Sequence, residues 1–334
     1  MGSSHKQPEF SSSVNPFKSK LWPMLNINSV KRGHLRSILG YLVKSGGRMR
    51  VQRKKNMEKK LICVWLLITV LCGVPGAAIS SDLESIISAR DSNDRVRDIY
   101  RHPVATLTFF EVQPGMTTIE VLPGGGWYTR ILVPYIGKNG RFFGANYTDE
   151  LFKKMMGDRW ESSRDWVENW PETFPSWAAS FAEFPPDIGI FHITKAPEEL
   201  YGEVDRILFI RCLHHLNRFN PQVLDDAAAE AFALLKPGGI VGVVQHRAPE
   251  SNSEEWSNGS NGYLKQTRVI EAFVSAGFSF VDSSEINANP KDKPTEIDRV
   301  WRLPPALRAE GDAKERNIEI GESDRMTLKF KKIN

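Results

Sequence analysis

The sequence Thr117-Thr-Ile-Glu-Val-Leu-Pro-Gly-Gly-Gly-Trp-Tyr-Thr129 predicts the fold more directly than any other stretch of the chain. A strand-like apolar run precedes three glycines, and a helical pattern follows them. Glycine permits positive φ and lets the backbone come close to a ligand, while the N–H groups of a following helix point at that ligand. The stretch therefore predicts either a ligand-binding loop or a tight strand-to-helix turn without a ligand.

The residues around these glycines exclude two common phosphate-binding loops. The six residues from Gly124 to Thr129 lack the third glycine of the dinucleotide pattern Gly-x-Gly-x-x-Gly, and no Gly-Lys-Ser/Thr follows as in a P-loop. Glu120 stands four positions before Gly124, where a carboxylate suits a cationic or zwitterionic nucleoside better than a pyrophosphate. A nicotinamide-dependent oxidoreductase is therefore the weakest functional hypothesis.

Short β-rich runs alternate with helical patterns from residue 81 to the end, which predicts an α/β domain with a mostly parallel sheet and helices on both faces. No composition break divides these residues, so 81–334 is predicted to be one domain. The connection 287–323 shows no helix of usual length, which favours an antiparallel last strand. Seven strands are predicted, at 117–122, 141–145, 188–193, 205–210, 240–245, 278–286 and 325–330.

Five helices are predicted between the strands, and the segment after the second strand is rich in aromatic residues. Trp166 and Trp170 stand at i and i+4, which favours one buried helix face over an apolar lid or a substrate pocket. Asn220 is a plausible N-cap for the helix that begins at Pro221. The predicted helices are 103–111, 127–136, 149–170, 221–235 and 264–276.

The glycine stretch is similar to motif I of the class I S-adenosylmethionine-dependent methyltransferases, and the wider chain resembles one family of predicted bacterial methyltransferases. The resemblance implies a single Rossmann-like domain, a seven-stranded sheet whose last strand is reversed, and S-adenosyl-L-methionine as cofactor. The matching blocks are Arg101-His-Pro103, Glu120 to Thr129, Gly144-Ala-Asn-Tyr147, Leu235-Lys-Pro-Gly-Gly239, His246-Arg-Ala248, Asn289-Pro-Lys-Asp292, Trp301-Arg-Leu-Pro-Pro305 and Gly321 to Thr327.

The same resemblance assigns cofactor contacts to the glycine loop and to the end of the second strand. In the loop these are Glu120 and the three glycines, Gly124, Gly125 and Gly126. The residue that ends the second strand normally holds the ribose hydroxyls with a carboxylate. This chain has Asn146 there, whose amide hydrogen-bonds a hydroxyl without the charge that strengthens such bonds, and Asp149 nearby is the alternative ligand.

Three histidines are candidates for the proton transfer that accompanies methylation. His214 and His215 follow the fourth predicted strand, and His246 ends the fifth. Ligands of open α/β sheets bind outside the carboxyl ends of strands, and histidine titrates near neutral pH. The alternative is that these residues only cap strand-to-helix turns. No cysteine or histidine cluster accompanies them, so no metal site is predicted.

Further candidates for a lid or for substrate contacts come from the remaining matching blocks. Arg101 and His102 precede the helix that begins at Pro103. They either fold over the cofactor or form the N-cap region of that helix. Tyr128 follows the glycine loop. The residues Asn289, Lys291 and Asp292 lie in the long connection before the last strand, where polar side chains are otherwise simply solvated.

Charge is distributed unevenly along the chain. Residues 1–80 contain 14 Lys/Arg and two Asp/Glu, whereas residues 81–334 contain 30 and 38, so charges of +12 and −8 make up the net +4. The acidic domain would repel phosphate, so no nucleic-acid partner is predicted and a small-molecule substrate is favoured. The three cysteines, Cys63, Cys72 and Cys212, leave one thiol in that domain and no internal disulfide.

The basic N-terminal part ends in an apolar segment that predicts export. A cluster of Lys and Arg leads into twelve uncharged residues from Leu61 to Cys72, and small residues follow up to Ser80, as at a cleavage site. Residues 57–80 are therefore predicted to be a signal peptide or, alternatively, a membrane anchor over 61–80, with the domain facing outward. Residues 1–56 are predicted to be a disordered extension or a mis-assigned start.

Two functional hypotheses remain open at this stage. The first is a methyltransferase that uses S-adenosylmethionine and acts on an unidentified small acceptor. The second is an exported, non-enzymatic nucleoside-binding protein that keeps the same fold, which would explain both the export signal and Asn146.

Overall fold

Seven strands form one sheet in the computed structural model, which describes residues 75–334. Their order is β3-β2-β1-β4-β5-β7-β6. The strands β1 to β5 pair in parallel, and β7 runs antiparallel to both β5 and β6. The predicted α/β fold with a reversed last strand is confirmed. The strands are β1 (Thr117–Val121), β2 (Arg141–Asn146), β3 (Asp187–His192), β4 (Val204–Ile210), β5 (Leu235–His246), β6 (Ser279–Ser284) and β7 (Arg325–Lys331).

Helices connect the strands and precede the sheet. Short 3₁₀ turns cover Gly157–Arg159, Glu198–Leu200 and Val300–Arg302. The α-helices are α1 (Pro75–Ala89), α2 (Ser92–Arg95), α3 (Asp98–Arg101), α4 (Pro103–Phe109), α5 (Thr129–Ile136), α6 (Asp149–Met156), α7 (Trp160–Ala179), α8 (Leu213–Asn217), α9 (Pro221–Leu234), α10 (Gln266–Ser275) and α11 (Gly311–Ile320).

Side chains alternate along the strands, so the sheet has two apolar faces with a separate core on each. In β1, Ile119 and Val121 belong to the core covered by α6, α8, α9 and α10. Leu208 of β4 and Val244 of β5 belong to the opposite core, which is covered by α1, α4, α5 and much of α7. Helices therefore cover both faces, as predicted, and the carboxyl ends of the parallel strands share one edge.

The one helix predicted between residues 149 and 179 was wrong in two respects. The predicted helix 149–170 is divided at Gly157, whose φ of 52° suits glycine, into α6 and α7. Helix α7 then continues through Pro171 and Pro175 to Ala179. Proline removes a backbone donor, yet this helix persists because its buried face spans the prolines. The buried side chains of α7 are Val167, Trp170, Phe174 and Ala178.

The connection between β6 and β7 contains a helix that the sequence did not predict. Helix α11 covers ten residues, Gly311–Ile320. Asn317 is its one buried side chain, so it lacks the apolar stripe by which a sequence reveals an amphipathic helix. The expectation that this connection lacks a helix of usual length was therefore wrong.

Helix α1 begins inside the predicted export signal. It includes residues 75–80 and continues to Ala89, with Leu83 and Ile87 packed in the core beside α4 and α5. The rest of that signal and the extension 1–56 lie outside the described residues. Within residues 75–334, no helix has both the length and the apolar character needed to cross a membrane.

Candidate functional site

A cavity of about 390 Å³ lies at the carboxyl ends of β1, β2 and β4. Residues that end or follow those strands line it, together with side chains from α6 and α7 and from the segment between α2 and α4. Open α/β sheets bind ligands at this edge, and small-molecule sites measure roughly 300–1,000 Å³. The cavity is therefore the candidate active site.

The glycine loop presents backbone, and not side chains, to this cavity. Gly124 has a φ of 56°, and a Cβ on Gly125 would meet no other atom within 4 Å. Arg130 donates a hydrogen bond of 2.6 Å to the carbonyl oxygen of Gly125, which holds the loop in place. Leu122 also has a φ of 56°, uncommon for a residue with a side chain, so the chain turns sharply directly after β1.

Gly126 has a different role from its two neighbours. A Cβ at this position would overlap the indole ring of Trp177, and the φ of Gly126 is 71°. Gly126 does not line the cavity, whereas Gly124 and Gly125 do. Its position supports a packing role against α7 and does not support the predicted contact with the cofactor.

Glu120 is a buried carboxyl group at the cavity, with 4% of its surface exposed. The hydroxyl of Thr129 donates a hydrogen bond of 2.7 Å to its Oε2. Burial raises the pKa of Glu120 to about 8, although the Thr129 hydroxyl opposes this. Without a ligand the group is therefore largely protonated near neutral pH, and a bound cation would favour its ionised form.

Asn146 and Asp149, the two candidates for ribose contacts, lie in different environments. Asn146 is buried and lines the cavity, and its Oδ1 accepts a hydrogen bond of 3.0 Å from the backbone N–H of Tyr147. The donor that it can offer a hydroxyl group is its amide nitrogen. Asp149 is exposed in the first turn of α6 and does not line the cavity, so the predicted contact through Asp149 is not supported.

Of the three candidate histidines, the structure places His215 at the cavity. Its Nδ1 is buried and has no hydrogen-bond partner among the described residues. Burial, with a smaller contribution from Arg218, lowers the pKa of His215 to about 4. The ring is therefore neutral at pH 7, and the one ring nitrogen that carries no hydrogen is able to accept a proton or a hydrogen bond.

His214 and His246 lie behind the cavity wall and do not line it. Their ring centroids are 5.4 Å apart. Nδ1 of His214 is 3.3 Å from Oε1 of Gln245, and Nδ1 of His246 is 2.5 Å from the hydroxyl of Ser323. Burial, above all, lowers the pKa of both well below the usual value. Their predicted catalytic role is not supported by position, because a buried polar network already uses them.

The N-terminal candidates separate in the same way. Arg101 and Tyr128 line the cavity and are almost fully buried, and the guanidinium of Arg101 lies 4.5 Å from the ring centroid of Trp127. His102 is exposed in a left-handed conformation with a φ of 39° and ends α3. The predicted lid therefore reduces to Arg101 and Tyr128, because His102 does not line the cavity.

Asn289, Lys291 and Asp292 do not line this cavity. Asn289 donates to the carbonyl oxygens of Ile320 and Glu322, at 2.9 and 2.6 Å. Lys291 is exposed. These three residues hold the connection before β7 in place, and their predicted contact with the ligand is not supported.

Asp292 is the buried member of that group and joins three partners. It accepts hydrogen bonds from the Tyr263 hydroxyl at 3.0 Å, from Arg302 at 2.7 Å and from the backbone N–H of Asp324 at 3.0 Å. These bonds tie the 3₁₀ turn at Val300–Arg302 to the start of β7. Asp292 therefore has a structural role.

Sequence reasoning missed several residues of the cavity wall. Trp166 lines the cavity although 51% of its surface is exposed, so it belongs to the site and not to the buried face that its spacing favoured. Arg97 and Arg211 also line it. Arg211 directly follows β4, a position where ligand contacts are common in such sheets, and that signal could have identified it.

No group of three or more histidine, cysteine or acidic side chains able to hold a metal ion occurs in the described part of the chain. The thiol of Cys212 is buried at the cavity, and burial raises its pKa. It therefore remains protonated, and a thiolate nucleophile is not available at this position.

No family model matches the sequence, and no curated protein matches it. Solved structures with a similar fold include a methyltransferase of Haloferax volcanii in complex with the Trm112 methyltransferase activator, at 16% identity and a TM-score of 0.45, covering 73% of this chain and 94% of that one. A SAM-dependent methyltransferase from Aquifex aeolicus has 17% identity and a TM-score of 0.39, covering 61% and 93%. Geranyl diphosphate C-methyltransferase from Streptomyces coelicolor has 12% identity and a TM-score of 0.40, covering 70% and 78%. The fold assignment rests on the strand order described above.

Replacing Glu120 by Gln is expected to stabilise the ligand-free protein above pH 7. The folded pKa of Glu120 is about 8 and its ordinary value is 4.5, so its favourable contribution is complete below about 4.5 and is lost as the pH rises through 8. Glutamine keeps the acceptor for Thr129 and has no charge to bury. Urea unfolding at pH 8.5 should give Glu120→Gln a free energy of unfolding roughly 2–5 kcal/mol higher than that of the wild type. At pH 5 the two proteins should have similar free energies of unfolding.

The matched control is Glu161→Gln, since Glu161 is exposed on α7. This variant should follow the wild-type dependence on pH. If Glu120→Gln also follows it, the carboxyl group is not buried as described.

Proposed function

We propose that this protein is a class I S-adenosylmethionine-dependent methyltransferase that acts on a small-molecule acceptor. The observation that carries the proposal is the buried carboxyl of Glu120 beside an open glycine loop, with Asn146 at the end of the neighbouring strand. β1 and β2 pair in parallel, with Glu120 opposite Gly144. The side chains of Glu120 and of Asn146, two residues after Gly144, therefore lie at the same edge of the sheet. A nucleoside that carries a cationic centre matches this arrangement.

The residues at the cavity fit this cofactor in size and in chemistry. Gly125 leaves open space where any side chain would project, and the cavity volume suits a ligand of this size. Glu120 would pair with the positive part of the cofactor, and Asn146 would donate to a ribose hydroxyl. When bound, the cofactor supplies the methyl group and its own leaving group, so the protein has to align the acceptor and manage one proton.

His215 is the residue best placed to manage that proton. A neutral hydroxyl oxygen that receives the methyl group becomes a positively charged, strongly acidic oxonium. A neutral histidine can then accept its proton although a pKa of about 4 makes it a weak base. Before transfer, the same nitrogen can hold the acceptor by a hydrogen bond.

The wall opposite the strands is apolar and would exclude water from the acceptor. Phe152 and Met155 come from α6, and Trp166 and Trp170 come from α7. The rings of Phe152 and Trp166 meet edge to face with centroids 5.9 Å apart. An acceptor of small size with an apolar part would pack against these side chains.

Replacing Gly125 by Leu is expected to abolish cofactor binding while the fold remains. The φ of Gly125 is not positive, so the backbone there tolerates a side chain. The new Cβ would meet no protein atom within 4 Å, and because Gly125 lines the cavity, the leucine side chain would occupy part of it. Calorimetric titration of S-adenosylhomocysteine into the full-length chain should show saturable binding in the wild type and at least roughly 100-fold weaker binding in the variant, with thermal stability almost unchanged.

The contrasting variant is Gly126→Ala, which should lower thermal stability because its Cβ overlaps Trp177. If the wild type binds neither S-adenosylmethionine nor S-adenosylhomocysteine at millimolar concentration, the proposed function is wrong.

Replacing His215 by Asn is expected to slow methyl transfer without weakening the binding of S-adenosylhomocysteine. Loss of a general base costs roughly 100-fold or more in rate. Product would be followed with radiolabelled S-adenosylmethionine on an acceptor identified by screening small molecules. Because neutral His215 is required, the wild-type rate at saturating cofactor should be lost only below about pH 4.

His102→Asn serves as the comparison, since His102 is exposed and asparagine tolerates its left-handed backbone. An equal loss of rate in both variants would contradict the role given to His215. Binding without product from any acceptor would favour the non-enzymatic nucleoside-binding protein.

We also propose that the protein is exported, on the basis of the basic and apolar segments in residues 57–80. Cell fractionation and N-terminal sequencing test this. A chain outside the cytoplasm that begins near Ser80 is expected for a cleaved signal, and an intact chain held in the membrane fraction is expected for an anchor. An intact chain in the cytoplasm would contradict export.

A further inference from the structure

Four arginines surround one buried carboxylate at the side of the cavity. Glu322 forms ion pairs with Arg97 at 2.7 Å, with Arg101 at 3.3 Å and with Arg325 at 3.1 Å. Arg211 acts on the same carboxylate, and although burial alone would raise the pKa of Glu322, the four arginines together lower it to about 2. Four positive charges therefore face a single negative one.

Several donor atoms of this cluster have no partner. Arg101 is 1% exposed and uses its Nε on Glu322, while its Nη1 and Nη2 have no hydrogen bond among the described residues. Nε of Arg211 is buried and without a partner as well. A buried guanidinium with unpaired donors is costly, because desolvation is not offset by an acceptor.

The neighbouring acidic residues do not balance the excess charge. Asp94 lines the cavity and pairs with Arg130 at 3.4 Å, and Asp98 pairs with Arg90 at 2.5 Å. Glu120 is largely protonated near neutral pH when no cation is bound. Around the described cavity, a positive excess therefore remains beside Arg101 and Arg211.

We propose that Arg101 and Arg211 form an anion subsite in the cavity that binds a carboxylate group of a ligand. Both residues line the cavity, and a carboxylate has the oxygen acceptors that two guanidinium groups require. The assignment rests on the proposed function, in which the carboxylate belongs either to the amino-acid end of the cofactor or to the methyl acceptor. The stacking of Arg101 on Trp127, at 4.5 Å, fixes one guanidinium before any ligand arrives.

The test compares ligands with and without a carboxylate on the full-length protein. S-adenosylhomocysteine carries the group, 5′-methylthioadenosine lacks the amino-acid end, and acetate is the anion alone. Arg211→Gln is the main variant, since Arg211 forms no direct ion pair with Glu322, and Arg101→Gln is the second. Arg268→Gln is the control, because Arg268 pairs with Asp225 at 2.7 Å and does not line the cavity.

Two results support the subsite and identify the source of the carboxylate. If the cofactor provides it, Arg211→Gln weakens S-adenosylhomocysteine binding by roughly tenfold or more and leaves 5′-methylthioadenosine unchanged. If the acceptor provides it, both nucleosides bind as in the wild type, and stabilisation of the wild type by acetate, against chloride at equal ionic strength, is lost in the variant. Arg268→Gln should match the wild type in each case.

The subsite and the proposed function fail in different ways. Acetate that stabilises the wild type but not Arg211→Gln supports the subsite even if neither nucleoside binds, an outcome that would overturn the methyltransferase proposal alone. The subsite is overturned if acetate has no effect on the wild type and both nucleosides bind equally to the wild type and to the two arginine variants.

Discussion

The carboxylate of Glu322 joins the two ends of the described chain. Its partner Arg97 is the N-cap of α3, Arg101 ends that helix, and Arg325 begins β7. Burying one carboxylate with several guanidinium groups adds little net stability by itself, but removing it would leave the arginines without compensation. Because the folded pKa of Glu322 is about 2, its contribution is present above the ordinary value of 4.5 and is lost as the pH falls toward 2. This ion-pair cluster holds the N-terminal segment at the cavity. Arg101 of that segment and Tyr128, which follows the glycine loop, both form part of the cavity wall.

Burial gives the two sides of the cavity different charge. On the strand side, Glu120 is largely protonated and His215 is neutral near pH 7, since each is desolvated without a close opposite charge. On the N-terminal side, the arginines outnumber the acids. A ligand with a cationic centre and a carboxylate would complement both sides, as would a cationic cofactor together with an anionic acceptor. Fold alone does not specify such a ligand, and the charge pattern is the more selective feature.

The polar residues behind the wall support those that line it. Gln245 connects His214 to the backbone of Gly262. Ser323, which follows Glu322 in the sequence, forms a hydrogen bond with His246. Satisfied buried networks of this kind hold loops rigidly. His214 and His246 belong to this network, whereas Nδ1 of His215 has no partner among the described residues. His215 has a nitrogen available at the cavity, and its two neighbours fix the loops around it.

The sequence by itself determined the α/β class and the seven strands, because apolar runs and glycine turns are local signals that a regular sheet repeats. The reversed last strand was implied by the resemblance, since the connection that was expected to lack a helix of usual length contains α11. The resemblance also predicted Glu120, Gly124, Gly125 and Asn146 as cofactor contacts, and the structure places all four at the cavity. Only the tertiary structure decided which of the other candidates reach the cavity. Gly126 packs against Trp177, His246 is held by Ser323, and Arg211 gathers with arginines from distant segments. Such pairings depend on side-chain directions and on contacts between residues far apart in the chain, which local patterns do not encode.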